Sequence, residues 1–432
     1  MKAGILLAAL PTHTQYVPLS VLGYCLKRTG FLDPIWKEIQ WSMKSYQHTP
    51  TEKLQDVLVS ILAGNESISK VNMRLRPDVT LAEAWDRGRF AEQSTLASTL
   101  NSLGPEQICQ LREGSQKLFR CHSQTVQHDY QKHWLVIDID PTGLLSSRNA
   151  EGRRRGYMSG EVNQFGRQLA RVSVPTYHES LFSFLYPGNQ QAATMLKSAI
   201  TTIQAFLDLQ KAQRQRTIIR SDAGLGTDGN INWLLWQDYQ VLMKGFSGSR
   251  AVNLASQVNE KDWIEDAQRK RWIAWAPTPR RFARHINVFV MRWQAKHKMR
   301  YSTLLSTLLQ LEPLSTARLH DGRGAMEIEI RSDKQGLRLP KRRKHSFTAQ
   351  EGLAWLTDLA HNLLSWIHHW VMEDSPFQNF GAKRMVDELM CIPGRVEIMD
   401  GKLLKVALLE THPYADPMRQ ILTVLLDYFD NP

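Results

Sequence analysis

The chain has 432 residues, 42% hydrophobic and 22% charged, a composition that excludes a collagen-like or disordered polymer and leaves room for two or three globular domains. Lys and Arg number 54 against 42 Asp and Glu, a formal charge of +12 that suits a polyanionic partner such as nucleic acid. The longest apolar runs fall short of the roughly 18 residues that cross a bilayer, and Pro11 interrupts the N-terminal run that would otherwise read as a secretion signal. No membrane partner is expected. Cys25, Cys109, Cys121 and Cys391 form no C-x-x-C pair, which argues against a zinc ribbon or a disulfide framework and fits a reducing cytoplasm.

In chain order, residues 1 to about 125 predict a helical domain. Within it, "TEKLQDVLVSILAGNESISKVNMRL" places apolar residues at helical spacing on both sides of a turn at Gly64 and Asn65. The segment reads equally as a helix-turn-helix and as an ordinary helical hairpin. From "KHWLVIDIDPTGL" the period changes to that of strands, and "FGRQLARVSV" and "YHESLFSFLY" continue a meander. A helix ("NQQAATMLKSAITTIQAFLDLQKA"), a strand ("RTIIRSDAG"), a helix ("GNINWLLWQ") and a strand ("YQVLMKG") follow. This order predicts an α/β fold, a mixed sheet with helices on both faces.

Residues 246 to about 315 hold the strand-like "RWIAWAP" and "HINVFVMRWQ", read as a β-rich insertion. A long buried helix is predicted at "SFTAQEGLAWLTDLAHNLLSWIHHW", and residues 371–432 form a tail. The expected organisation is therefore 1–125, then 126–370 carrying the insertion, then 371–432.

Two acids stand at predicted strand ends, where loops carry polar groups into the crevices of open sheets. Asp140 ends "VIDID", with Asp138 on the same side of the strand, and Asp222 ends "TIIRSDAG". Each also fits simple turn chemistry, before Pro141 or in an Asx-turn. In "RLHDGRGAMEIEIRSDKQ", His320, Arg323, Glu327 and Lys334 are spaced by three, four and seven, which puts them within a stripe roughly 60° wide on one helix. Should Asp140, Asp222 and Glu327 converge, their repulsion demands cations, and an all-oxygen ligand set suits Mg2+ or Mn2+. Two such ions would support in-line displacement at phosphorus.

These residues resemble the DDE transposases of bacterial insertion sequences, whose catalytic core is ribonuclease H-like. The Y-x2-R-x3-E-x6-K signature of one branch is matched in spacing by His320, Arg323, Glu327 and Lys334, with His in place of Tyr. Asp140, Pro141 and Thr142 reproduce a D-x-T first acid; Arg220, Asp222 and Gly224 match R-x-D-x-G; Ala360, His361, Asn362 and Leu363 are similar to A-Y-N-L. "SILAGNESI", "YPGN" and "IPGRVE" extend the resemblance along nearly the whole chain.

The resemblance implies metal-dependent cleavage and transfer of DNA strands, with Asp140, Asp222 and Glu327 as catalytic metal ligands and Asp138 as a supporting or alternative first ligand. It further implies phosphate contacts from His320, Arg323 and Lys334, to which the basic run "KRRKH" adds Lys341, Arg342 and Arg343. The implied partners are double-stranded DNA, namely terminal inverted repeats and a target, bound by a homodimer at the bacterial nucleoid. A catalytically inactive DNA-binding descendant and a nuclease without strand transfer are the alternative functions.

Overall fold

A computed structural model describes residues 12–43, 47–158, 161–278, 281–324 and 334–430. In chain order its strands are β1 (His13–Thr14), β2 (Leu135–Leu145), β3 (Arg154–Met158), β4 (Glu161–Val174), β5 (Glu179–Pro187), β6 (Thr217–Ser221), β7 (Gln240–Lys244), β8 (Ile264–Asp266), β9 (Arg271–Ala276), β10 (Asn287–Ala295), β11 (Lys298–Ser306), β12 (Gly394–Met399) and β13 (Lys402–Leu408). The chain divides into two compact units, Ser123–Ile330 and a second made of Met1–His122 with Arg331–Pro432.

The unit Ser123–Ile330 is built on a ten-stranded mixed sheet of order β3-β4-β2-β6-β7-β11-β10-β9-β8, with β5 also pairing β4. The meander is β2, β4 and β5, all antiparallel, and both β3 and β5 lie along the edge of β4 away from β2. From β2 the sheet continues through the parallel pairs β2–β6 and β6–β7.

Register fixes which side chains share a face. Asp138 pairs with Arg220 and Arg220 with Leu242, so the even-numbered residues of β2, β6 and β7 point the same way. On that face the helix Pro313–Asp321 packs through Ala317, Leu314 and Leu319 on Ile218, Leu242, Ile273, Phe289 and Leu304. The helix Ala192–Leu207 covers the opposite face, where the Phe206 and Phe182 rings meet at 4.6 Å. Helices on both faces of a mixed sheet are what the alternation of periods predicts.

The segment 246–315 is β-rich as expected, and Leu304 to Ser306 of β11 pair with β7, so its four strands prolong the central sheet. The predicted helix is present at Phe347–Ile367, but it belongs to the unit with the N-terminal residues, with Thr348 bonded to the Leu103 carbonyl at 2.7 Å and the Trp355 indole to Ser115 at 2.8 Å. Lastly, the stripe from His320 to Lys334 is not one described helix; Pro313–Asp321 is followed by Gly322 as its C-cap, and Glu327 lies outside the described residues.

In the other unit, helix Pro50–Leu62 opens with a reciprocal Thr49–Glu52 capping box, a hydrophilic start to an apolar helix. The turn at Gly64 leads directly into a 3-10 turn, Ile68–Lys70, and the single helical turn Val71–Arg74. That is too short for the recognition helix of a helix-turn-helix, which must span several base contacts. The strands β1, β12 and β13 form a small antiparallel sheet.

Candidate active site

The site grows from the parallel strands. Pairing of Ile139 with Ser221 and of Ser221 with Met243 means that the next residues, Asp140, Asp222 and Lys244, form a row across β2, β6 and β7. Asp140 and Lys244 belong to β2 and β7, and Asp222 is the residue immediately after β6. The parallel pairing ends here, but β2 runs on through Asp140 and Pro141 to Leu145, so the expected strand end and turn before Pro141 are corrected.

Two residues back lies the row Asp138, Arg220, Leu242. Asp138 is 0% exposed, and its two oxygens accept from Arg220 Nε at 2.6 Å and Nη2 at 2.7 Å. The remaining Arg220 nitrogen, Nη1, donates to the Leu319 carbonyl at 2.5 Å. The expectation that Asp138 serves as a metal ligand is corrected on this ground. Its carboxylate is buried and engaged by a bidentate guanidinium, so it neutralises Arg220 and ties β2 to β6.

Asp140 is different: its side chain is 16% exposed and Oδ1 lies 2.9 Å from Arg323 Nη1. Asp222 is half-buried, with Oδ1 accepting the Gly224 N–H at 3.0 Å, so the Asx-turn and the strand-end acid are the same arrangement. Among the described residues no group of three His, Cys, Asp or Glu has the geometry of a metal site.

His320 is 3% exposed and its Nε2 faces the Ser221 carbonyl at 3.1 Å, which assigns the ring proton to that nitrogen. Burial pushes its pKa down to about 4, and the nearby cations Lys244, Arg323 and Arg220 act in the same direction. Here the expectation of a phosphate contact is corrected: a neutral, buried imidazole pins the end of β6, directly before Asp222. Burial likewise lowers the Lys244 pKa, with Arg323 adding to the effect while the Asp321 and Asp222 carboxylates oppose it. Asp321 itself is held by Arg271 of β9, Nη1 to Oδ1 at 3.0 Å. The segment 319–323 is thus bound to β2, β6 and β9 by Arg323, by Arg220 and His320, and by Arg271.

The remaining predicted cations belong to the other unit. Lys334 is half-buried, Lys341 pairs with Glu66 at 2.6 Å, and Arg343 is exposed with its Nε on the Pro340 carbonyl at 3.1 Å. Arg342 is a correction: it is 3% exposed and donates to the Leu337 and Asn65 carbonyls, and burial lowers its pKa to about 9. It braces a loop. Sequence reasoning missed Lys244, which it read only as the last residue of a strand; the signal is a Lys immediately before Gly245 at the end of an apolar run, but its alignment with Asp222 needs the register.

A family model described as transposase DDE domain group 1 matches residues 21–428. The chain belongs to the DDE transposase family. Among solved structures it is similar to a piggyBac transposase, seen by cryo-EM in a synaptic complex with hairpin DNA, at 12% identity over 87% of this chain and 76% of that one, with a TM-score of 0.43. No curated protein matches.

Proposed function

We propose that this chain is the transposase of a bacterial insertion sequence, and that it binds the terminal inverted repeats as a homodimer, cuts the DNA and joins the ends to a target. The observation that carries the reading is the alignment of Asp140, Asp222 and Lys244 just past the last parallel pairs of β2, β6 and β7. The strand arrangement supports a ribonuclease H-like core, with an antiparallel meander leading into parallel strands and acids on the first and fourth strands of that core.

Asp140 and Asp222, with Glu327 as the third acid, would hold divalent ions, Mg2+ or Mn2+. Their carboxylate oxygens are hard donors, and Asp140 already takes a cation, Arg323, at 2.9 Å. Bound there, two ions would supply an activated water or sugar hydroxyl and stabilise the leaving oxygen. The protein's own groups do the rest. Lys244 and Arg323 donate to nonbridging phosphate oxygens, with Lys334, Lys341 and Arg343 as further backbone contacts. His320 and the Asp138–Arg220 pair hold the ends of β6 and β2 so that the acids keep their spacing.

The test is Glu327→Gln in the full chain, assayed on duplex DNA taken from both flanks of the gene. Binding should persist while Mg2+-dependent cleavage disappears; undiminished cleavage refutes the reading. Wild-type protein that nicks but never joins would be a nuclease, and one that binds but never nicks an inactive descendant.

A further inference from the structure

The sequence "GRRRGYMSGE" plays no part in the site described above. Its strand β3 is the outermost strand at one edge of the sheet, and it forms a hairpin with β4 in which Arg155 pairs with Phe165 and Arg154 with Gly166. Arg154, Arg155 and Tyr157 are exposed, Tyr157 at 61%, and on β4 Val162 is 70% exposed. The guanidinium of Arg153 lies 4.0 Å from the Phe165 ring centroid and that of Arg155 5.1 Å, so one aromatic ring orders two cations. Charged edge strands commonly serve only to block unwanted strand pairing. That reading leaves unexplained how firmly this hairpin is built.

The hairpin is anchored on both faces by groups that rarely go inside a protein. Arg167 is 1% exposed and its Nε donates to the Glu151 carbonyl at 2.6 Å, while Gln168 Nε2 donates to the Tyr157 carbonyl at 2.7 Å. The Gly188 N–H reaches the Gly152 carbonyl at 3.0 Å, Met158 is 1% exposed, and a β-carbon on Gly156 would collide with the Gly188 carbonyl oxygen. The hairpin is tied down by these contacts, and Arg154, Arg155 and Tyr157 remain exposed.

The register also gives its position. Asp140 pairs with Arg171, and Leu145 with Gly166, which pairs in turn with Arg154. Because paired residues share a face and side chains alternate, Phe165, Arg155 and Tyr157 lie on the same face as Asp140, and Arg154 on the opposite one. Five residues along and two strands across is on the order of 20 Å, about six base-pair steps at 3.4 Å each.

We propose that the β3–β4 hairpin, through Arg153 and Arg155, both held over the Phe165 ring, with Tyr157 in support, grips the phosphate backbone of the same duplex about six base pairs from the bond held at Asp140 and Asp222. It has no base-reading groups in a groove-filling element, so it adds affinity and register and not sequence choice. The inference rests on the reading of this chain as a DNA-cutting enzyme.

The experiment uses the full chain and duplex DNA from the flanks of the gene, with Ca2+ in place of Mg2+, and follows fluorescence anisotropy from low to high salt. Arg153→Ala/Arg155→Ala should weaken binding at least about tenfold and reduce the slope of log K against log salt by about 1.8, or about 0.9 for each phosphate no longer neutralised. Cleavage at saturating DNA with Mg2+ should stay within about twofold of wild type. The control, Lys132→Ala/Lys211→Ala, removes two charges beside the opposite ends of β2 and β6 and should leave the slope unchanged. An unchanged slope in the arginine variant, or an equal loss in the control, overturns the proposal while the enzyme reading stands. A wild-type chain that fails to bind the duplex overturns both.

Discussion

Substituting Asp138 and Asp140 one at a time separates two acids that share a strand face. In Asp138→Asn the buried Arg220 loses its counter-charge, and removing one partner of a buried pair costs about 3–5 kcal/mol; Asn retains one acceptor, so the lower end applies. For a unit of the size of Ser123–Ile330, about 3 kcal/mol lowers Tm by roughly 6–12 °C. Asp140→Asn loses the Arg323 pair but relieves repulsion with Asp222, so its loss of stability should be no more than half as large, while cleavage disappears. Differential scanning calorimetry of both variants reads this directly. A third, Asp138→Asn/Arg220→Met, removes the stranded cation and should recover most of the loss. If instead Asp138→Asn melts like wild type and Asp140→Asn carries the large deficit, the roles assigned to the two acids are exchanged and the reasoning fails.

Two further outcomes follow from the groups around the β6 end. His320 is held near pKa 4 against an ordinary 6.5, so the unfolded chain binds the extra proton between those values: its contribution is complete above pH 6.5 and shrinks by about 3 kcal/mol on the way down to pH 4. Urea unfolding at pH 7 and pH 4.5 should show a steeper loss for wild type than for His320→Gln, and equal losses would contradict the buried, neutral imidazole. Lys244→Met removes a cation whose pKa burial already depresses, so its Tm should be equal or higher, yet nicking should fall at least about tenfold. A lower Tm with unimpaired nicking would make Lys244 a structural residue.

Much of the fold was legible because local period carries it. The alternation in "KHWLVIDID", "FGRQLARVSV" and "YHESLFSFLY" marks β2, β4 and β5, and the 3.6-residue repeat marks Ala192–Leu207 and Phe347–Ile367. What sequence could not carry was pairing between distant segments. Nothing local tells that β11 joins β7, or that Phe347–Ile367 packs with the N-terminal helices. The candidate site divides in the same way. Asp222 is visible as a strand-end acid; Asp140 reads the same way, although β2 runs on past it to Leu145, and the choice against Asp138 depends on Arg220 standing opposite it. His320 and Arg342 looked like surface cations because charge pattern alone cannot show that a ring or guanidinium is buried against backbone carbonyls. The helix stripe from 320 to 334 ran through Gly322, where the described helix ends, a break that the cost of glycine in helices already signalled.

The central claim is that Asp140 and Asp222 together bind divalent metal beside DNA. Mn2+ titrated into the complex of the full chain with flank duplex, followed by electron paramagnetic resonance, measures that without depending on turnover. Wild type should take up Mn2+, and Asp140→Asn/Asp222→Asn should bind it at least about tenfold more weakly while holding the duplex as tightly. Equal Mn2+ uptake by the two complexes would contradict the account.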